Sequence, residues 1–335
     1  MKNTLIKIFQ YVFFLGLGIA IIFYMYNSLS PEDRKNMWTA IQGVRLWIFI
    51  PIFISGFLSH FFRAVRWRLL LEPLRIHPGL VNTTLAVLIG YVANLVLPRA
   101  GEVAKCTVLA KYEKVPADKM VGTILAERAF DVVCLLIIMI LACILQSHII
   151  GVYATQQFNN LVHLISRNRY VFVGLIVLMA IGIIAIVMVY RRHKETKIGK
   201  FMKGMSHGVG AILHMKKRWA FIGYTFLIWL MYLLQIYLGF LGLPATDHLS
   251  MLAALVVLIF GSIGMISTQG GIGAYPFLVA HILSYYAINP GNAQAFGWVA
   301  WAVQTGIIVV LGAISIVMLP LFNRTRYAQS PVDIK

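Results

Sequence analysis

Six ionisable side chains stand beside or inside long apolar runs, where a chain has no ordinary use for charge. Arg99, Glu102 and Lys105 follow the run that ends at Pro98, and Glu127, Arg128 and Asp131 lie within a later one. A charge at membrane depth costs on the order of 2.5 to 3.5 kcal/mol on the insertion scale, so these residues are functional candidates. Asp131 is three residues from Arg128 and four from Glu127, so the three share one side of a helix. Three bases against three acids sum to zero, and two chemistries fit that balance. In one, the six neutralise each other as a structural network, since buried charges are paired. In the other, Arg99, with Lys105, keeps donors for a phosphate, whose geometry a guanidinium fork matches and which the N–H groups of a broken helix end would also bind.

A second candidate set is Gln269, Gly270, Gly271 and Gly273. Glycines there either bring backbone amides up to an anion or only permit a tight turn and close helix packing. Asn94, Gln235, Gln269 and Gln304 are polar within apolar runs, where an interhelical hydrogen bond is the expected role. His60 and His281 are expected to be satisfied packing residues. Cys106, Cys134 and Cys143 have no metal-ligand or disulfide spacing, and no H-E-x-x-H, G-x-S-x-G or P-loop occurs. The expectation is therefore no metal, no cofactor and no enzyme.

The elements that hold these residues must be membrane helices. Of 335 residues, 60% are hydrophobic and 12% charged, and the mean hydropathy is +0.82, far from a soluble composition. Spans in lipid must satisfy their own backbone polar groups, which predicts an all-α polytopic fold in a single domain over 1–335. The formal charge of +18 lies in the connections between apolar runs, as the positive-inside rule requires, so it reports topology and anionic lipid rather than nucleic acid.

Apolar runs lie near residues 5–26, 46–64, 80–97, 119–145, 170–190, 219–243, 250–266, 275–287 and 294–320. Lys2 and Lys7 precede the first, which is expected to be an uncleaved helix. Nine bases between Arg191 and Arg218 place 191–218 in the cytoplasm, either as an amphipathic interfacial helix carrying Ile198, Phe201, Met202, Met205, Val209 and Ile212 or as a solvated loop. The connection with Arg63, Arg66, Arg68 and Arg75 is also expected to be cytoplasmic, so 80–112 must go in and come back. This predicts a re-entrant hairpin broken at Pro98 to Gly101, and a second one, entering from the opposite side, broken at Thr268 to Gly273.

Corresponding runs in the two halves are offset by half the chain and run in opposite directions. The prediction is two inverted repeats, 1–145 and 170–320, each of three spanning helices plus one re-entrant hairpin, with the substrate site where the breaks meet. Both termini would be cytoplasmic.

At these residues the chain resembles the lysylphosphatidylglycerol synthase transmembrane region, also called the flippase-like domain family. Asn94 with Pro98-Arg99-Ala100-Gly101-Glu102 and Lys105 is similar to its Asn…Pro…Arg-x-Gly-Glu…Arg motif, Glu127 with Asp131 to its Glu-x-x-x-Asp pattern, and Gly270-Gly271-Ile272-Gly273 to its late glycine turn. Gln269 stands where the family commonly has Pro, and Lys105 where it has Arg. The resemblance implies a stand-alone flippase-like domain of a bacterial inner membrane, without an aminoacyl-transferase domain. Its implied work is translocating a phospholipid or polyprenyl-phosphate-like lipid, with these residues at the substrate site. Two other readings are a membrane scaffold or accessory subunit for envelope-lipid metabolism, and an intramembrane enzyme acting on lipid headgroups.

Overall fold

Pro and Gly punctuate the apolar runs, and between those marks the chain is helical. The computed structural model describes residues 2–97, 100–167, 212 and 215–328, and among them every regular element is a helix. In order these are α1 (Lys2–Ser28), α2 (Pro31–Gln42), α3 (Phe49–Leu71), α4 (Leu80–Val96), α5 (Ala100–Glu113), α6 (Ala117–Leu145), α7 (Ser147–Arg167), α8 (Arg218–Gly242), α9 (Met251–Ser267), α10 (Ala274–Ser284) and α11 (Pro290–Ala328). Among the described residues, four stretches are long and apolar enough to cross a membrane: Leu46–Leu74, Met120–Leu145, Arg218–Gly242 and Pro290–Arg324. Leu80–Val96, Met251–Ser267 and Ala274–Ser284 are apolar but shorter. The expected helix at 170–190 and nearly all of the basic segment 191–218 lie outside the described residues.

Packing divides the chain into two units, Met1–Ile124 with His214–Lys335, and Leu125–Leu213. In the first, α3 and α8 run antiparallel along their whole length. Arg45 meets Asp247 at one end, at 2.8 Å, and Lys217 meets Glu72 at the other, also at 2.8 Å. Exposed Trp47 and Trp219 mark the same two ends, where an aromatic belt is expected. The second unit contains α7 and the apolar body of α6, with Leu136, Ile137, Ile140 and Ile144 exposed as lipid-facing residues would be.

Both short-helix pairs are antiparallel hairpins within the first unit, and they start from opposite ends of α3 and α8. The base of the α4–α5 pair is at the Glu72 end, where Glu113 Oε1 accepts hydrogen bonds from the Gly79 amide at 3.1 Å and from Asn82 Nδ2 at 2.6 Å. Asn82 also exchanges two amide hydrogen bonds with Asn323, at 3.0 and 2.8 Å, which brings the last turns of α11 to that end. The α9–α10 pair starts just after Asp247, and α9 is capped by Ser250, whose hydroxyl oxygen accepts from Ala253 N–H at 3.3 Å.

Two expectations need correction. Arg63, Arg66 and Arg68 are not in a connection but in the last turns of α3, and Arg66 is fully buried. Partners on α8 make this tolerable: Arg63 donates to the Tyr232 hydroxyl at 3.1 Å, and Arg66 donates to Thr225 Oγ1 at 3.1 Å while lying over the Phe221 ring. Gln235 does not use its full bonding capacity, since its Nε2 has no partner among the described residues. Nor is His60 satisfied, because neither ring nitrogen has one.

Besides α5, which the parity of the basic connections predicts, two helices had no apolar run to announce them, α2 and α7. Ser30-Pro31-Glu32-Asp33 supplies the start of α2: the Ser30 oxygen accepts from Asp33 N–H at 3.1 Å, and Pro31 occupies the first turn. The Ser30 hydroxyl in turn donates to the Asp33 carboxylate and holds it below the usual carboxylate range.

A topology is expected from this arrangement together with the basic connections. Single cysteines at Arg75 and Lys114, at the base of the α4–α5 pair, are expected to react with a membrane-impermeant thiol reagent from the same side, the cytoplasm. Cysteines at Asp247 and Pro290 are expected to react from the other. Opposite-side labelling of 75 and 114 would mean that α4 crosses the bilayer alone.

Candidate functional site

Pro98 determines how α4 ends. The residue before a proline is pushed out of the helical region, and Leu97 is extended, at φ −131° and ψ 126°. Asn94 then reaches over the break: its Oδ1 accepts the Gly101 N–H at 2.7 Å, satisfying one of the donors at the start of α5. The two arms are held close by facing glycines. A Cβ on Gly90 would stand 2.8 Å from the Gly101 carbonyl oxygen, and one on Gly101 would overlap the Gly90 carbonyl and the Asn94 amide.

The second tip turns on glycines in the left-handed region, with φ of 60° at Gly270, 73° at Gly271 and 73° at Gly273. At Gly273 space is as restrictive as φ, because a Cβ there would overlap the Gly18 carbonyl on α1. Trp301 of α11 anchors this tip by donating from Nε1 to the Gly270 carbonyl at 2.9 Å.

The tips meet. Gln269 Nε2 donates to the Asn94 carbonyl at 2.7 Å and to the Leu95 carbonyl at 3.3 Å, so a side chain of one break satisfies carbonyls that the other leaves at the end of α4. Gly270 faces Leu95 across the same contact. This is the interhelical hydrogen bond expected of Gln269.

The structure thus brings together Asn94, Gln269 and Gly270, with Gly271 and Gly273 shaping the turn. Glu102 is half-buried in the first turn of α5, where a carboxylate complements the helix dipole. Lys105 is buried one turn further on, with its ammonium 4.6 Å from the centre of the Trp67 ring, a cation–π contact. Trp67 is itself fixed by an Nε1 hydrogen bond of 2.9 Å to Thr123. Arg99 lies outside the described residues, bounded by Leu97 and Ala100. Glu127, Arg128 and Asp131 belong to the second unit, where Glu127 is fully buried and Arg128 lies 3.8 Å from Asp131. Among the described residues no group of three His, Cys, Asp or Glu side chains is placed to hold a metal.

Sequence reasoning missed Trp301 and the Asn82–Glu113–Asn323 network. Asn82 and Asn323 could have been flagged as amides at the edges of apolar runs. Trp301, inside a run, gives no such sign.

No solved structure matches the chain. It is similar to a UPF0104 membrane protein of Methanothermobacter thermautotrophicus, 22% identical over 323 residues that cover 90% of this chain and 93% of that one. The family described as the lysylphosphatidylglycerol synthase TM region matches residues 11–325, through both hairpins and all four long apolar helices. This multi-pass membrane protein therefore belongs to the lysylphosphatidylglycerol synthase TM region family.

Proposed function

We propose that the protein moves a lipid with a phosphate-bearing headgroup between leaflets, through the place where the two hairpin tips meet. The observation that carries this reading is the Gln269 contact with the Asn94 and Leu95 carbonyls, which joins two helix breaks entering from opposite ends. Broken helices that meet in this way are how many secondary transporters build a site near the bilayer midplane. In this reading each hairpin is re-entrant, and 1–145 and 170–320 are inverted repeats whose central helices, α3 and α8, pack on each other. Non-helical backbone at such depth is tolerated where it is buried or lines a cavity, which fits a path for a polar headgroup. Arg99, in the first break, supplies the guanidinium fork for the phosphate, and the glycine turn supplies the opposing wall. In the same reading the chain lies in a bacterial inner membrane, and its basic connections orient it with both termini in the cytoplasm.

Native mass spectrometry of the chain, purified in mild detergent, tests this occupancy. Wild type is expected to retain a phosphate-bearing lipid, and Arg99→Gln to retain about 100-fold less, as loss of a fork of two charge-assisted hydrogen bonds of roughly 1.5 kcal/mol each implies. Equal retention by both, or retention of uncharged lipid alone, would remove Arg99 as the headgroup ligand.

A further inference from the structure

His60 stands midway along α3 with 1% of its surface exposed. Its ring centroid is 4.3 Å from that of Tyr91 on α4. Neither Nδ1 nor Nε2 has a hydrogen-bond partner among the described residues. An imidazole always carries at least one N–H donor, and a buried polar atom with no partner is destabilising enough that native structures rarely keep one without a use. A second unmet group lies close by: Gln235 of α8 is 9% exposed, and its Nε2 is also without a partner. Its Oε1 is 3.8 Å from where a Cβ on Gly56 would stand, and Gly56 is one turn before His60 on the same face of α3.

The charged and titratable groups around His60 come from four helices. On α3 these are Arg63, one turn on, and Arg66 beyond it. From α4 comes Tyr91, whose ring also lies 5.8 Å from the Arg63 guanidinium. From α8 comes Tyr232, whose hydroxyl accepts from Arg63. Lys105 of α5 faces Trp67, the residue after Arg66. α11 packs Ile307 against Gly56 and has no ionisable residue between Pro290 and Pro320. A protonated imidazole has two N–H donors. In the conformation described neither would meet an acceptor, and the new cation would share the Tyr91 ring with Arg63. A proton can be accommodated at His60 only when the seam between α3, α4 and α8 parts and admits water.

We propose that His60 is a proton-binding site whose occupancy opens this seam, and that the proton is the ion coupled to movement at the hairpin tips. Tyr91 is one turn before Asn94, so parting the seam displaces the residue that caps α5 and whose carbonyl meets Gln269. A ligand shifts a conformational equilibrium only if it binds the two states unequally, and the missing hydrogen-bond partners supply that inequality. The link to lipid movement rests on the translocation reading, whereas proton binding at His60 does not.

Hydrogen exchange of the full chain in phosphatidylglycerol-containing vesicles tests it. After correction for the intrinsic pH dependence of exchange, amides between 56 and 66 in wild type are expected to exchange about threefold or more faster near pH 5.5 than near pH 7.5, the interval in which histidine titrates. In His60→Gln, which keeps a polar side chain without a titration, the two rates should coincide. Equal corrected rates in wild type would overturn the proposal without reference to any variant, and so would a pH response that survives in a folded His60→Gln. If wild type shows the pH response but moves no lipid at either pH, the proton site stands and the translocation reading falls.

Discussion

Gly101→Ala is expected to destabilise the protein by about 2 to 3 kcal/mol and to abolish its activity, a large effect for a single methyl group. The added carbon would overlap the Gly90 carbonyl and the Asn94 amide, so α4 and α5 would have to separate. Separation breaks the 2.7 Å bond from Gly101 N–H to Asn94 and moves the carbonyls that Gln269 reaches from the other tip. Gly122→Ala is the control, because a Cβ there meets nothing within 4 Å. Helix propensity alone favours that change by up to about 1 kcal/mol. Thermal unfolding of both variants in detergent checks the contrast: a Gly101→Ala protein as stable as wild type would mean that the two arms are not in contact at this point.

Much of this arrangement was legible because it follows from local rules. Pro98 must end a helix, Gly270, Gly271 and Gly273 must turn one, and the length of an apolar run bounds a span. What was not legible depends on partners far away in sequence. Arg63 and Arg66 looked like a cytoplasmic connection because no neighbouring residue could hold them. Their hydroxyl partners, Tyr232 and Thr225, are 169 and 159 positions distant. Gln269 was recognisable as a polar residue in an apolar setting, but a main-chain carbonyl 175 positions away carries no side-chain signal. Lys105 was grouped with Arg99 as a phosphate donor, yet its ammonium lies over Trp67, and an indole face is indistinguishable in sequence from ordinary core. Glu127, Arg128 and Asp131 do share one helix, and of that trio the Arg128–Asp131 pair is a loose one at 3.8 Å.

Arg99→Gln is expected to lower lipid translocation about 100-fold, equivalent to two charge-assisted hydrogen bonds of roughly 1.5 kcal/mol each, while leaving thermal stability nearly unchanged. Arg99→Lys should retain part of the activity, since an ammonium is a point charge and cannot form a bidentate fork. The competing role is structural. If Arg99 serves only to balance Glu102, its removal strands a half-buried carboxylate, and a broken buried pair costs about 3 to 5 kcal/mol. Stability and activity would then fall together, and Glu102→Gln in the same chain would restore both.

The most direct measurement of the central claim is leaflet redistribution of a labelled phosphate-bearing lipid in sealed proteoliposomes, with wild type, Arg99→Gln and the Arg99→Gln, Glu102→Gln double variant at equal protein density. Wild type is expected to equilibrate the chemically intact lipid between leaflets, and both variants are expected to leave it where it was placed, although both remain folded. Recovery of transport in the double variant would contradict the role of Arg99, and a wild-type protein that converts the lipid, or leaves it unmoved, would contradict translocation itself.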